Sequence, residues 1–158
     1  MFELLFLLSF TLHNIEEALW LPKWSRHAGK FHPAVKNNEF HFALLVITTL
    51  GYIIMFLFMI YGSTSEIIKY AYLGFVLMMC ANAIFPHLIA SIIIKKYAPG
   101  TVTGLFLNLP VGLYIVFVQY SENIIIYKLL IGFVLTTIIV LLLLKPLFKI
   151  GKHVIEDY

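Results

Sequence analysis

The chain has 158 residues, of which 61% are hydrophobic, 16% aromatic and 12% charged, with a mean hydropathy of +0.95. A soluble domain of this size cannot hide so much apolar surface, so the composition excludes that class and indicates a polytopic membrane protein. The formal net charge of +3 falls in short loops between apolar runs, which suits juxtamembrane anchoring and argues against a nucleic-acid groove.

In chain order, residues 2–21 form a first span that Pro22 closes. Glu3 stands where a signal peptide would be basic, and the run leads into Glu16 and Glu17 instead of a cleavage site, so a retained helix is expected. A polar loop follows, carrying Lys23, Arg26, His27, Lys30, His32 and Lys36. Residues 40–61 make a nearly uncharged second span, ended by a Gly-Ser-Thr-Ser turn that can cap the next helix. The third span covers 67–94 and contains Cys80, Asn82, Pro86 and His87. After the turn Lys95-Lys96-Tyr97-Ala98-Pro99-Gly100, a fourth span over 101–119 holds Asn108 and Pro110. The fifth, over 124–144, is the most purely apolar and ends at Lys145-Pro146.

No internal repeat or low-complexity linker divides the chain, so residues 1–158 are read as one all-α domain of five transmembrane helices. The single cysteine rules out an intramolecular disulfide and thiolate-pair metal sites. Placing the N-terminus outside puts Lys23, Arg26, Lys30, Lys36, Lys95, Lys96, Lys145, Lys149 and Lys152 inside and leaves Lys69 and Lys128 outside. The expectation is therefore N-out and C-in, in the plasma membrane.

Against this background the first span is anomalous. A carboxylate in the bilayer costs at least about 2.5–3.5 kcal/mol, so such groups usually face a partner or a cavity. Helical spacing projects His13, Glu16 and Glu17 to one side, with Ser9 and Trp20 continuing the stripe. At about 1.5 Å per residue from the inner ends of the spans, His13 lies about 12 Å deep, Glu17 about 6 Å, and His87 and Asn108 each about 10 Å. Asn82 is deeper, and Glu39 and His41 sit at the inner mouth. A polar chamber in the cytoplasmic half is inferred, bounded by the first four helices and buttressed by the fifth. Asn82 and His87, five apart, point roughly 140° away from each other on an ideal helix, but a kink at Pro86 can re-aim His87. Cys80, Ala83 and Ser91 share the His87 face as a small-residue strip, against which the first helix is expected to pack. Residues 99–103 read as a helix start whose free amides, with the hydroxyls of Thr101 and Thr103, suit either an anion or an ordinary cap.

The segments HNIEE at His13 to Glu17, NAIFPH at Asn82 to His87 and PGTVT at Pro99 to Thr103 resemble, in order and spacing, the signature motifs of the HXXEE-domain family. The resemblance covers roughly the first two thirds of the chain. It implies a small integral membrane protein of bacterial type, and no particular chemistry.

The residues themselves suggest several chemistries. Two imidazoles and two carboxylates suit Zn, Mn or Fe(II), with His13, His87 and one or both of Glu16 and Glu17 as ligands and Glu39 and His41 as outer candidates. His13, Glu16 and Glu17 would then be catalytic, one glutamate serving as base for hydrolysis or, at iron, the centre oxidising a lipid. Asn82, Thr101, Thr103 and Asn108 would line the substrate or support the ligands. Without a metal, a protonated and an ionised glutamate with His13 suit acid–base isomerisation or transacylation of an amphipathic lipid. The same groups also mark proton-coupled transport, although a transporter built from two halves would show repeats unless it dimerises. A homo-oligomer is compatible with each reading. A purely structural role for the cluster is expensive, because interhelical polar bonds average only about 0.6 kcal/mol; for Asn108 alone that role is the better one. His27, His32 and His153 read as exposed loop residues, and Trp20 and Trp24 as interface anchors.

Overall fold

The computed structural model describes residues 1–29 and 32–155, and among these every regular element is helical. Lys30 and the acidic end of the tail lie outside the described residues. Five helices are long and apolar enough to cross a membrane: α1 (Phe2–Ser25), α2 (Asn37–Tyr61), α3 (Glu66–Ile94), α4 (Thr101–Gln119) and α5 (Ile126–Val154). The expected five-span architecture is thus observed, and the bounds of α2, α3 and α4 fall within a few residues of those read from the sequence.

The first and last helices run further than expected, both through a proline. A proline cannot donate to the carbonyl four residues before it, so it ends a helix unless that carbonyl finds another partner. In α1 the carbonyl freed by Pro22 is that of Ala18, and it accepts a hydrogen bond from His41 Nε2 on α2 at 2.8 Å. Pro22 therefore sits inside the helix. In α5 the turns beyond Pro146 are held by tertiary contacts. Leu147 is buried, Phe148 packs on Phe40 with ring centroids 6.5 Å apart, and Asn38 Nδ2 donates to the Ile155 carbonyl at 2.9 Å. Lys145, Lys149 and Lys152 therefore lie on a helix and not in a tail.

Inside α3 and α4 the prolines leave visible irregularity. Helix α3 breaks at Phe85, whose backbone is extended (φ −127°, ψ 120°), immediately before Pro86. Helix α4 contains widened turns at Gly104–Asn108, just before Pro110, and at Ile115–Gln119. Wide turns of this kind accommodate a missing backbone donor and recur at functional sites.

The aromatic core lies toward the opposite end from His87, where Phe75 meets Phe6 and Phe10 edge-on at 6.2 and 5.2 Å and Tyr72 stacks on Phe58 at 4.2 Å. Helices α3 and α5 touch backbone to backbone: a Cβ built on Gly132 would lie 2.2 Å from the Tyr70 carbonyl oxygen, and one on Gly74 would lie 2.3 Å from the Gly132 carbonyl carbon. Van der Waals packing of this closeness is how helices associate where lipid removes the hydrophobic incentive. The outer face of α5 is apolar and exposed at Leu130, Ile131, Leu135, Ile139 and Leu142. Only 11% of its most apolar window is buried, which is the pattern of a lipid-facing helix.

The small-residue strip of α3 receives a different neighbour from the one expected. A Cβ on Gly112 of α4 would lie 2.4 Å from Cys80 Sγ, and one on Gly104 would lie 2.9 Å from Ala83 Cβ. Ser91 Oγ lies 2.9 Å from Thr101 Oγ1. The strip therefore seats α4, while α1 pairs with α2 through Asn14–Thr48 and Thr11–Tyr52 hydrogen bonds, both 2.7 Å.

Candidate metal centre

Three elements converge on one point. Helix α1 presents His13 and Glu17 one turn apart, the break in α3 presents His87, and the segment leading into α4 closes over them. His13 and His87 meet edge-to-face with ring centroids 5.1 Å apart. Glu17 Oε1 lies 3.1 Å from His87 Nε2 and 3.7 Å from His13 Nε2. One ligand atom from each of His13, Glu17 and His87 falls within 4.8 Å of the other two. Both imidazoles are buried.

The break at Phe85 explains how His87 reaches the cluster. Asn82, the last residue before the irregular segment, places Nδ2 2.9 Å from His87 Nε2 and 3.3 Å from His13 Nε2. On an uninterrupted helix the two side chains would diverge.

Glu16, adjacent to Glu17 in sequence, has a different environment. Its Oε1 accepts from the Tyr97 hydroxyl and from the Gly100 amide at 2.6 Å. Its Oε2 accepts from the Thr103 amide at 3.0 Å and the Thr103 hydroxyl at 2.6 Å. Four donors fill the capacity of an ionised carboxylate. At the start of α4, where the sequence suited either an anion or an ordinary cap, the protein's own Glu16 carboxylate caps the helix from α1. Of the two glutamates considered as metal ligands, Glu17 joins the cluster; Glu16, with its lone pairs committed, stands outside it.

The Glu16 cap also fixes His13. The single Thr103 hydroxyl proton goes to Glu16, so Thr103 Oγ1 can only accept from His13, whose Nδ1 is 3.1 Å away. His13 therefore carries its proton on Nδ1 and turns the bare Nε2 toward Glu17 and His87. A carboxylate–hydroxyl–imidazole chain that sets the tautomer is the supporting arrangement found behind metal-ligating histidines.

Gly100 is required on two counts. Its φ of +91° lies in the left-handed region, and a Cβ there would come within 2.7 Å of His87 Cε1 and 2.8 Å of His13 Cε1. The backbone covers both rings as a lid with no side chain.

The remaining expected residues separate from the cluster. Glu39 Oε2 accepts from the Lys36 amide at 3.1 Å and caps α2, and His41 serves the Ala18 carbonyl; neither is among the three converging ligands. Thr101 Oγ1 donates to Ala98 at 2.6 Å and ties the turn to α4. Asn108 is fully buried with both side-chain polar atoms unpartnered among the described residues, so it is not tied to the cluster by hydrogen bonds. The site is walled by α1, α3 and α4, with α2 and α5 outside as supports, in place of the expected four-helix chamber. His153 is exposed but lies on α5. Sequence reasoning placed Tyr97 in the turn and Gly100 at the helix start but gave neither a role of its own at the site. The available signal was Pro-Gly at a helix start, where a left-handed glycine commonly sits.

On the flank of the bundle, a groove of about 680 Å³ runs between α1 and α4, lined by Leu12, Ile15, Leu19, Trp20 and Val102, with Glu16, Tyr97 and Thr103 at its polar floor. It opens on the apolar surface, beside the Glu16 network.

These features define a helical bundle suited to a membrane, with a buried His/Glu centre. The chain belongs to the family described as "Protein of unknown function with HXXEE motif", which matches residues 4–115; His13, Glu16 and Glu17 supply that motif. It is also 48% identical over 154 residues to "Uncharacterized protein YrkK" of Bacillus subtilis (strain 168), covering 97% of each chain. No solved structure matches.

Proposed function

We propose that His13, Glu17 and His87 hold a divalent metal ion, and that the protein is a membrane-embedded enzyme acting on a lipid or another amphipathic molecule. The observation that carries this reading is the convergence of two imidazole nitrogens and one carboxylate oxygen within 4.8 Å of one another, with the His13 lone pair aimed inward by the Thr103–Glu16 chain. Two histidines and one carboxylate are the donor set of hydrolytic zinc sites and of non-haem iron oxygenases, so hydrolysis and oxidation are the two reaction classes. When bound, such an ion supplies Lewis acidity or redox chemistry.

The chain's own residues divide the remaining work. Glu16 and Thr103 hold His13 in one tautomer, Gly100 covers the rings, and Tyr97 links the groove floor to the Glu16 network. The groove supports access from the bilayer for an acyl chain. The distribution of Lys and Arg supports an N-out, C-in protein in the plasma membrane, with the centre in the cytoplasmic half.

The test is elemental analysis of protein purified in detergent without chelators. The expected result is about one equivalent of zinc, manganese or iron in the wild type, with loss in His13→Ala and Glu17→Gln. Wild-type protein that stays free of stoichiometric metal after incubation with each ion would end this reading.

A further inference from the structure

Three ligands leave at least one coordination position to be filled, and Asn82 already faces it. Its amide group lies 2.9 and 3.3 Å from the two Nε2 atoms, and Glu17 Oε1 lies 3.1 and 3.7 Å from the same two atoms. Donor atoms held at about 2.0–2.2 Å around a tetrahedral ion are separated by about 3.3–3.6 Å. Four of the six edges of one such tetrahedron are therefore near their required length, with Asn82 at a corner.

The atom now at that corner is the amide nitrogen, a donor that cannot bind a cation. A half-turn about the Cβ–Cγ bond exchanges it for Oδ1 while leaving the rest of the side chain in place, and the two orientations have nearly the same shape. A cation reverses the preference between them, because it attracts the negative end of the amide dipole. Resting on the metal-centre reading above, we propose that Asn82 is the fourth ligand, turning its carbonyl oxygen to the ion.

Two consequences separate this role from that of a hydrogen-bonding spacer. An amide oxygen is neutral, so it is held less firmly than the Glu17 carboxylate and gives way to a substrate oxygen while the other three ligands stay in place. The fourth position is then exchangeable, as catalysis requires and as a closed structural site does not allow. The break at Phe85 also gains a purpose, since it returns His87 to the side of α3 that carries Asn82 and so supplies two ligands from adjoining turns.

Cobalt(II) titration of detergent-purified protein, read by visible absorption, tests the assignment because the bands report coordination directly. Asn82→Ala is expected to bind Co(II) at least tenfold more weakly than wild type and with an altered spectrum. Asn82→Asp, which offers an anionic oxygen at the same place, is expected to bind at least as tightly as wild type, and it carries the test if the alanine variant does not fold. Wild-type affinity and spectrum in Asn82→Ala, or weaker binding in Asn82→Asp, would overturn the assignment while leaving the three-ligand centre intact. A wild type that takes up none of Co(II), Zn(II), Mn(II) and Fe(II) would overturn both.

Discussion

The bundle has two halves built by different rules. Helices α2 and α5 are continuous and apolar, and α5 stays helical through Pro146 because Leu147, Phe148 and the Asn38 contact hold its final turns. Helices α3 and α4 are broken or widened at Pro86 and before Pro110, and α1 carries the adjacent carboxylates Glu16 and Glu17. Proline alone does not decide the outcome. Where tertiary packing holds the following turn, or another side chain serves the freed carbonyl, the helix continues; where it breaks, side chains are re-aimed, and the centre lies at that break. Regularity supports the fold, and irregularity supplies the site.

Substitutions at close backbone contacts in the two halves should separate these roles. The largest effect is expected for Gly100→Ala. A left-handed alanine costs roughly 1–2 kcal/mol, and the new methyl would overlap both imidazoles, with overpacking adding about 1–3 kcal/mol. Thermal unfolding in detergent should show destabilisation of about 3 kcal/mol, and metal should be lost even from the folded fraction. Unchanged metal content would mean that the backbone does not cover the rings.

Gly132→Ala tests the other half. Its methyl meets the Tyr70 carbonyl oxygen, so α3 and α5 must separate slightly, at a cost of about 1–3 kcal/mol. Metal content should stay at the wild-type level, because α5 adds no ligand to the His13–Glu17–His87 cluster. Loss of metal in this variant would show that the halves are coupled.

The same contrast explains how much was legible in the sequence. Spans can be read from hydropathy because the bilayer sets their length and polarity, and His13, Glu17 and His87 could be singled out because ionisable groups are costly at that depth. The ends of α1 and α5 could not be placed, since each depends on a distant partner: His41 for the Ala18 carbonyl, and Asn38 with Phe40 for the turns after Pro146. The separate roles of Glu16 and Glu17 were equally hidden. Neighbouring identical residues differ only in what faces them, and the donors facing Glu16 come from positions 97–103. The depth ruler took α1 to stop at residue 21, where the helix runs on to Ser25, yet His13 and His87 meet with ring centroids 5.1 Å apart.

The smallest expected effect concerns Tyr97, which lies in the turn outside the spans and gives its proton to Glu16. Partial burial, together with the adjacent Glu16 carboxylate, pushes its pKa from 10 up to about 12. For an acid whose folded pKa is raised, the stabilisation is complete below the unfolded value and disappears as pH climbs through the folded one. The Tyr97 contribution should therefore be constant up to about pH 10 and be lost between about pH 10 and 12. Comparing tyrosinate absorbance of wild type with that of Tyr97→Phe isolates this one group, and a difference that titrates near pH 10 would show that the hydroxyl is not bound to Glu16. Tyr97→Phe removes one of four donors to a carboxylate that keeps the other three, so its cost should be about 1–2 kcal/mol. Metal should be retained, because the Thr103 hydroxyl still fixes His13. If Tyr97→Phe instead abolished metal binding, the groove floor and the metal centre would be a single unit, and the boundary between the polar centre and the lipid-facing surface would lie further out than Glu16.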